Sequence, residues 1–186
     1  MPQKTNNNYA FIDGQNLYLA IKRLGWKLDL KQFHNYLTTK LRASKAFYFI
    51  GYDPKQKALY QDLQKFGFKV VFKKIVYQNT VVNDKKLLQK KGNVDSHLIM
   101  QVVREIDSFH KAVVISGDGD FEPLYQWLHE KNKLHKIGIP NKSRKSHLLN
   151  KFEKYFLYLE LLEEKLAYKK MGRTRLESKS NASDPS

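Results

Sequence analysis

Asp13, Asp95, Asp118 and Asp120 are the residues in this 186-residue chain whose type and placement suit chemistry. Asp13 follows the apolar run Tyr9-Ala10-Phe11-Ile12. Asp118 and Asp120 follow Ala112-Val113-Val114-Ile115 within Ser116-Gly117-Asp118-Gly119-Asp120. Asp95 opens a long amphipathic segment. Carboxylates that converge repel, by about 3 kcal/mol per pair at roughly 5 Å and an effective dielectric of about 20. A divalent cation with oxygen ligands offsets that repulsion, and Mg²⁺ or Mn²⁺ suits carboxylate and water. Such an ion lowers the pKa of bound water and neutralises charge growing on a phosphate. Asn16, one helical turn beyond Asp13, adds an amide for a water or phosphate, and Ser116 adds a hydroxyl. Each residue also has an ordinary role: Asp13-Gly14 as a turn, Asp95 as a helix cap, Asp118 and Asp120 as a turn and a cap. Their joint placement favours the chemical role.

The elements that must position these groups are legible in the apolar pattern. Strands are expected at 9–12, 46–50, 68–77, 112–115 and 134–139, with a short last strand at 155–159. Helices are expected at 16–24, from 30 after a cap at Asp29, from Pro54 until a stop at Gly67, at 94–109, after Asp120, and at 160–169. The stretch 78–93 is polar and Lys-rich and reads as a mobile loop; 141–146 reads as a basic polar loop. Strands alternating with helices imply an α/β fold, a mostly parallel central sheet flanked by helices on both faces. Ligands in such folds bind outside the carboxyl ends of the strands, near a switch in strand order. Asp13, Asp118 and Asp120 fall at that edge. Asp95 joins them if its helix starts there.

The bulk composition narrows the partner. Lys and Arg number 34 against 18 Asp and Glu, a formal net charge of +16, which favours a polyanion such as nucleic acid. Lys85, Lys86, Lys90 and Lys91 lead to Asp95, and Lys142, Arg144 and Lys145 follow the fifth strand. These two basic segments are candidates for phosphate contacts on either side of the acids, with Lys73 and Lys74 extending the track. Tyr52 and Tyr77 are candidates for stacking on unpaired bases, although packing is their more ordinary use. Single-stranded RNA is the favoured partner, because its bases are exposed.

The three motifs Phe11-Ile12-Asp13-Gly14-Gln15-Asn16-Leu17, Lys91-Gly92-Asn93-Val94-Asp95 and Ser116-Gly117-Asp118-Gly119-Asp120-Phe121-Glu122-Pro123-Leu124 occur in order. Together they resemble the NYN domain, the LabA-like branch of the PIN-like nuclease superfamily. The resemblance runs from about Tyr9 to about Leu159. It implies a PIN-like, Rossmann-like three-layer sandwich and metal-dependent cleavage of RNA, with an endonuclease expected. It places the acids at Asp13, Asp95, Asp118 and, at the rim, Asp120, and matches Asn16 to the family's Asn after the first acid. A non-catalytic RNA-binding or regulatory scaffold on the same fold is the alternative; the full acidic set argues against it.

Other chemistries lack their residues. With no cysteine there is neither a disulfide nor a thiolate nucleophile or ligand. A haloacid-dehalogenase-like phosphatase needs a second Asp where Gln15 stands. The Gly117 turn is not Gly-x-Gly-x-x-Gly, the histidines lack zinc-site spacing, and no Gly-x-Ser-x-Gly elbow exists. Met1 to Asn8 has no apolar run and no segment reaches the length of a membrane span, so a soluble, cytoplasmic chain is expected. The expected organisation is a disordered 1–8, one domain over 9–169 and a disordered polar tail over 170–186. The apolar stripe from Leu157 to Leu166 either packs on the sheet, which is favoured, or supports a homodimer.

Overall fold

The computed structural model describes residues 7–73, 76–82, 85–91 and 95–169. Its centre is β1 (Asn8–Asp13), every residue of which is buried. Such a strand needs cover on both faces, and its side chains alternate between two cores. Tyr9 and Phe11 enter one, and Ala10 and Ile12 the other. β1 pairs in parallel with β2 (Ala43–Gly51) on one side and β6 (Ala112–Ile115) on the other. β3 (Lys69–Lys73) extends the sheet beyond β2, and β7 (Leu134–Ile139) then β8 (Phe156–Tyr158) extend it beyond β6. The order is β3-β2-β1-β6-β7-β8, parallel throughout. The α/β three-layer sandwich expected from the sequence is therefore present.

The helices fill the two faces as the right-handed crossover rule requires. α1 (Gly14–Arg23), α2 (Leu30–Thr39) and α3 (Lys57–Lys65) bury Leu17, Ile21, Phe33, Leu37 and Leu63 against one face. α4 (Asp95–Arg104) and α5 (Glu122–Glu130) bury Leu98, Val102, Leu124, Tyr125 and Leu128 against the other. Asp29 caps α2 by accepting from the Gln32 amide at 3.0 Å. Gly25 follows α1 at φ +86°, a backbone angle that disfavours a side chain.

Several sequence expectations change. The segment 78–93 does not run as one unpaired loop. β4 (Val76–Val82) pairs antiparallel with β5 (Lys85–Lys91), register Val76↔Lys91 to Val82↔Lys85. Val76, Thr80, Val81 and Val82 are β-branched and favour a strand; Lys-rich β5 hid its partner role because it lacks apolar alternation. The third strand consequently ends at Lys73, and Tyr77 belongs to β4. α4 stops at Arg104, five residues early, where the helical bonds tighten into turns: the Ile106 amide donates to the Val103 carbonyl and that of Ser108 to Glu105. The expected helix over 160–169 shrinks to α6 (Glu163–Leu166) after a 3₁₀ turn at Glu160–Leu162. Beyond it the chain is extended, with Ala167 bridged to Leu28 and the Tyr168 amide donating to Lys27 at 2.8 Å. Asn8, placed before the domain by sequence, opens β1 and donates its side-chain amide to the Leu41 carbonyl at 2.9 Å. Residues 1–6 and 170–186, where disorder was expected, lie outside the described residues. Leu157, Leu159, Leu162 and Leu166 pack with the α1/α2 core, as favoured over dimerisation. No helix among the described residues is long and apolar enough to cross a membrane.

Gly14, the first residue of α1, lies where a Cβ would meet the Tyr48 ring and sit 2.8 Å from the Phe49 carbonyl oxygen. Substitution forces α1 away from β2. Gly14→Ala is expected to cost about 1–3 kcal/mol, lowering Tm by about 2–4 °C for each kcal/mol; thermal unfolding followed by circular dichroism checks it, and an unchanged Tm would mean that this contact yields.

Candidate active site

Strand order reverses between β1 and β6: β2 lies to one side of β1 and β6 to the other. The carboxyl ends of these two adjacent strands therefore border the switch-point crevice. β1 ends in Asp13, and β6 leads into Ser116, Gly117 and Asp118. Asp13 is only 5% exposed. It caps α1, its Oδ1 accepting from the Asn16 amide at 3.1 Å, while its Oδ2 accepts from Ser116 Oγ at 3.3 Å. The cap role and the site role coexist in one residue.

The neighbouring loop is tied to the same carboxylate. Ser116 is completely buried; its Oγ also accepts from the Asp118 amide at 3.2 Å, and its carbonyl accepts from the Tyr125 hydroxyl at 3.2 Å. The Gly117 amide donates to Asn16 Oδ1 at 3.1 Å. Asp118 caps the 3₁₀ turn Gly119–Phe121, accepting from the Asp120 amide at 3.1 Å, so the cap that sequence offered to Asp120 belongs to Asp118. Asp120 itself is exposed. Asp95 is the first residue of α4 and is half-buried.

Electrostatics bring the four acids together. Burial pushes Asp13 above the usual carboxylate range, and the charge of Asp118 adds to this; the Asn16 amide, Ser116 hydroxyl and Gln15 amide work against it. Asp95 is raised to about 6, first by burial and then by the charges of Asp13, Asp118 and Asp120, with Lys73 opposing. Lys73, at the end of β3, is lowered by burial while Asp95 pulls it back up. Tyr125 and Tyr48 are raised by burial and by the acids, Tyr48 feeling Asp13. The charges of Asp13, Asp118 and Asp120 thus all bear on Asp95, and that of Asp118 on Asp13. Among the described residues, no three His, Asp or Glu side chains form a ready-made coordination shell. The all-oxygen donor set fits a hard divalent ion that keeps part of its water, since Mg²⁺ is commonly held by one or two carboxylates plus substrate phosphate.

The basic candidates divide. Lys142 and Arg144 lie in a short 3₁₀ turn capped by Asn141, and both are exposed. Lys142 Nζ lies 5.4 Å from the Tyr158 ring, and its amide donates to Glu160 at 2.9 Å. Lys145 Nζ is engaged by Asn150 and lies 5.2 Å from the Phe156 ring. Lys85, Lys86, Lys90 and Lys91 are on β5; their side chains, that of Tyr77, and Lys74 lie outside the described residues. Tyr52 is 45% exposed and Phe72 is 39% exposed, and with Tyr60 they form an aromatic cluster beyond β2 and β3. Sequence reasoning did not single out Arg23, which is seven residues after Asn16 and so on the same face of α1. That spacing was the available signal.

The NYN domain family model matches residues 9–160. The "Low amplitude and bright protein LabA" of Synechococcus elongatus is 27% identical over 125 residues, 65% of this chain and 67% of that protein. A crystal structure of a Vibrio parahaemolyticus protein of unknown function shares the fold, with a TM-score of 0.70 at 20% identity, covering 90% of this chain and 100% of that one. T5 5′-exonuclease with bound zinc overlaps at a TM-score of 0.46 and 14% identity, over 80% of this chain and 60% of that one, and lends no residue roles.

The raised Asp95 pKa has a thermodynamic sign. The unfolded carboxyl ionises near 3.8, whereas the folded one holds its proton to about 6. As pH rises between these values the unfolded state loses its proton first, so the folded state loses stability, and the loss is complete above about 6. In EDTA, Asp95→Asn is expected to match wild type in Tm near pH 4 and to gain on it up to about pH 6.5, then hold a constant lead. A lead that does not vary with pH would show that Asp95 ionises at its ordinary value.

Proposed function

The chain belongs to the NYN domain family, a PIN-like nuclease family, and from that premise we propose that it is a metal-dependent ribonuclease that hydrolyses phosphodiester bonds of single-stranded RNA. The observation that carries this reading is that Ser116 ties Asp13 to the Asp118 amide at the sheet's switch point, and that the charges of Asp13, Asp118 and Asp120 all raise the proton affinity of Asp95. A cap or a turn needs one carboxylate; three further acids whose charges bear on Asp95 are a cost that a structural role does not explain.

Asp13, Asp95 and Asp118 would hold Mg²⁺ or Mn²⁺, with Asp120 at the exposed rim. When bound, such an ion supplies a water of lowered pKa and neutralises charge on the phosphate. The chain's own groups orient the acids. Ser116, being completely buried, is a positioning residue: its hydroxyl holds Asp13 and fixes the Asp118 amide. Asn16 spends its carbonyl oxygen on the Gly117 amide, which leaves its NH₂ as a donor toward a phosphate or water. Lys73 limits the negative charge around Asp95. Lys142, Arg144 and Lys145 contribute phosphate contacts, and Lys85, Lys86, Lys90 and Lys91 do so from β5. Cleavage within the RNA chain, as an endonuclease, is part of this proposal. The absence of cysteine suits a reducing, cytoplasmic setting.

A non-catalytic RNA-binding or regulatory protein on the same fold is the competing reading, and one variant separates the two. Asp118→Asn is expected to lower Mg²⁺- or Mn²⁺-dependent cleavage of labelled single-stranded RNA by about 100-fold or more, with an unchanged circular dichroism spectrum and RNA affinity equal or greater. Equal cleavage by variant and wild type would remove the site. Replacing Lys142, Arg144 and Lys145 with Ala is expected to weaken RNA binding and flatten the dependence of log K on log salt by about 2 units; an unchanged slope would take that turn off the binding surface.

A further inference from the structure

Beside the acids runs a groove of opposite character. Asn16, Leu19 and Arg23 lie on one face of α1, and with Gly117, Asn141 and Arg144 they line a cavity of about 320 Å³. That is at the small end of ligand pockets, enough for one phosphate-bearing group. It extends from the acid rim along α1, where Asn16 and Arg23 are separated by about 10 Å of helix.

The side-chain polar groups left over in this groove are donors. Asn141 is 94% buried, since its exposure is 6%, and its Oδ1 is committed to the Ser143 amide and hydroxyl at 3.0 and 2.8 Å. The donating Ser143 amide dictates which end of the side chain is oxygen. The Asn141 NH₂ is therefore left with no hydrogen bond among the described residues, on a residue that lines the cavity. Asn16 is oriented the same way by the Gly117 amide. The Gly117 carbonyl, also at the groove, is consumed by the Ser146 amide at 3.0 Å. Neither Arg23 nor Arg144 has a carboxylate within ion-pair distance among the described residues. Arg23 also sits in the last turn of α1, where a cation meets free carbonyls. That role accounts for Arg23 alone; it leaves unexplained the convergence of Arg144 and two oriented amides on one cavity.

We infer that this groove is a phosphate subsite, in which Arg23 and Arg144 supply charge and the Asn16 and Asn141 NH₂ groups supply directed hydrogen bonds to the phosphate of a nucleotide next to the cleaved bond. The assignment rests on the nuclease reading for its place in a strand. It adds Arg23 and Asn141 to the surface that recognises nucleic acid, and it places the binding charge apart from the acids, so that phosphate is attracted without neutralising them. Guanidinium forks match phosphate oxygens bidentately, and Lys at either position retains charge but loses the fork.

The test uses the full chain in EDTA, so that cleavage plays no part. Adenosine 5′-monophosphate, the dinucleoside monophosphate ApA and adenosine are titrated separately, following the backbone amide NMR signals of Asn16, Gly117 and Ser143. Phosphate-bearing probes are expected to shift these signals saturably and adenosine is not. Arg23→Ala and Arg144→Ala are each expected to weaken binding by at least about tenfold, with Arg23→Lys intermediate. Binding of the monophosphate alone assigns the groove to a terminal phosphate; binding of ApA as well assigns it to an internal one. Equal shifts with adenosine, no shifts with either phosphate probe, or wild-type affinity in both alanine variants would overturn the subsite. RNA cleavage without groove binding overturns the subsite and leaves the nuclease reading. Groove binding without metal-dependent cleavage supports the subsite and removes the nuclease reading.

Discussion

Two strands distant in sequence, β1 and β6, lie side by side and parallel, with Tyr9 to Ile12 matched to Ala112 to Ile115. Each is buried on both faces, so neither can shift by one residue without carrying apolar side chains into the wrong core. That register delivers Asp13 and Ser116 to the same depth at the carboxyl edge. The other features of the site depend on it, because Ser116 bonds Asp13 directly and holds the Asp118 amide through the same hydroxyl.

Burying Asp13 is costly for a carboxylate, and the surrounding structure offsets only part of that cost. The Asn16 amide at the start of α1 and the Ser116 hydroxyl stabilise the charge, yet burial still prevails and the proton affinity is raised. The remaining acids compound the strain rather than relieving it, most visibly at Asp95. A site built this way is preorganised for positive charge. The groove on the other side of Asn16 is preorganised for negative charge. Asn16 joins the two: its side-chain oxygen is fixed by Gly117, its NH₂ remains as a donor, and the residue lines the cavity.

Much of this was legible in the residue pattern. β1, β6 and β7 are short apolar runs closed by turn residues, and α1, α2 and α5 present clear apolar stripes with recognisable caps or stops. The β4–β5 hairpin was not legible, because β5 is Lys-rich and shows no apolar alternation along the chain. The ends of α4 and α6 were misjudged for a related reason. Apolar periodicity continues past Arg104 through Ile106 and Phe109, but turns replace the helix there; at Ala167 the chain goes extended to pair with Leu28.

The sequence by itself determined which residues can carry charge and where the strands before Asp13 and Ser116 end, and hence the identities of Asp13, Asp118 and Asp120; Asp95 followed from the start of a helix. Hydrophobic periodicity is a local property, and strand ends follow from it directly. Only the tertiary structure decided what those acids feel and what surrounds them. The proton affinity of Asp95 depends on burial and on three charges from other elements. The buried, positioning place of Ser116 follows from β1–β6 register. Arg23 had no signal beyond its helical spacing from Asn16; it became part of a site because the loops after β6 and β7 close over that face of α1. Such convergence joins residues more than 100 positions apart, and no pattern along the chain encodes a distance across it.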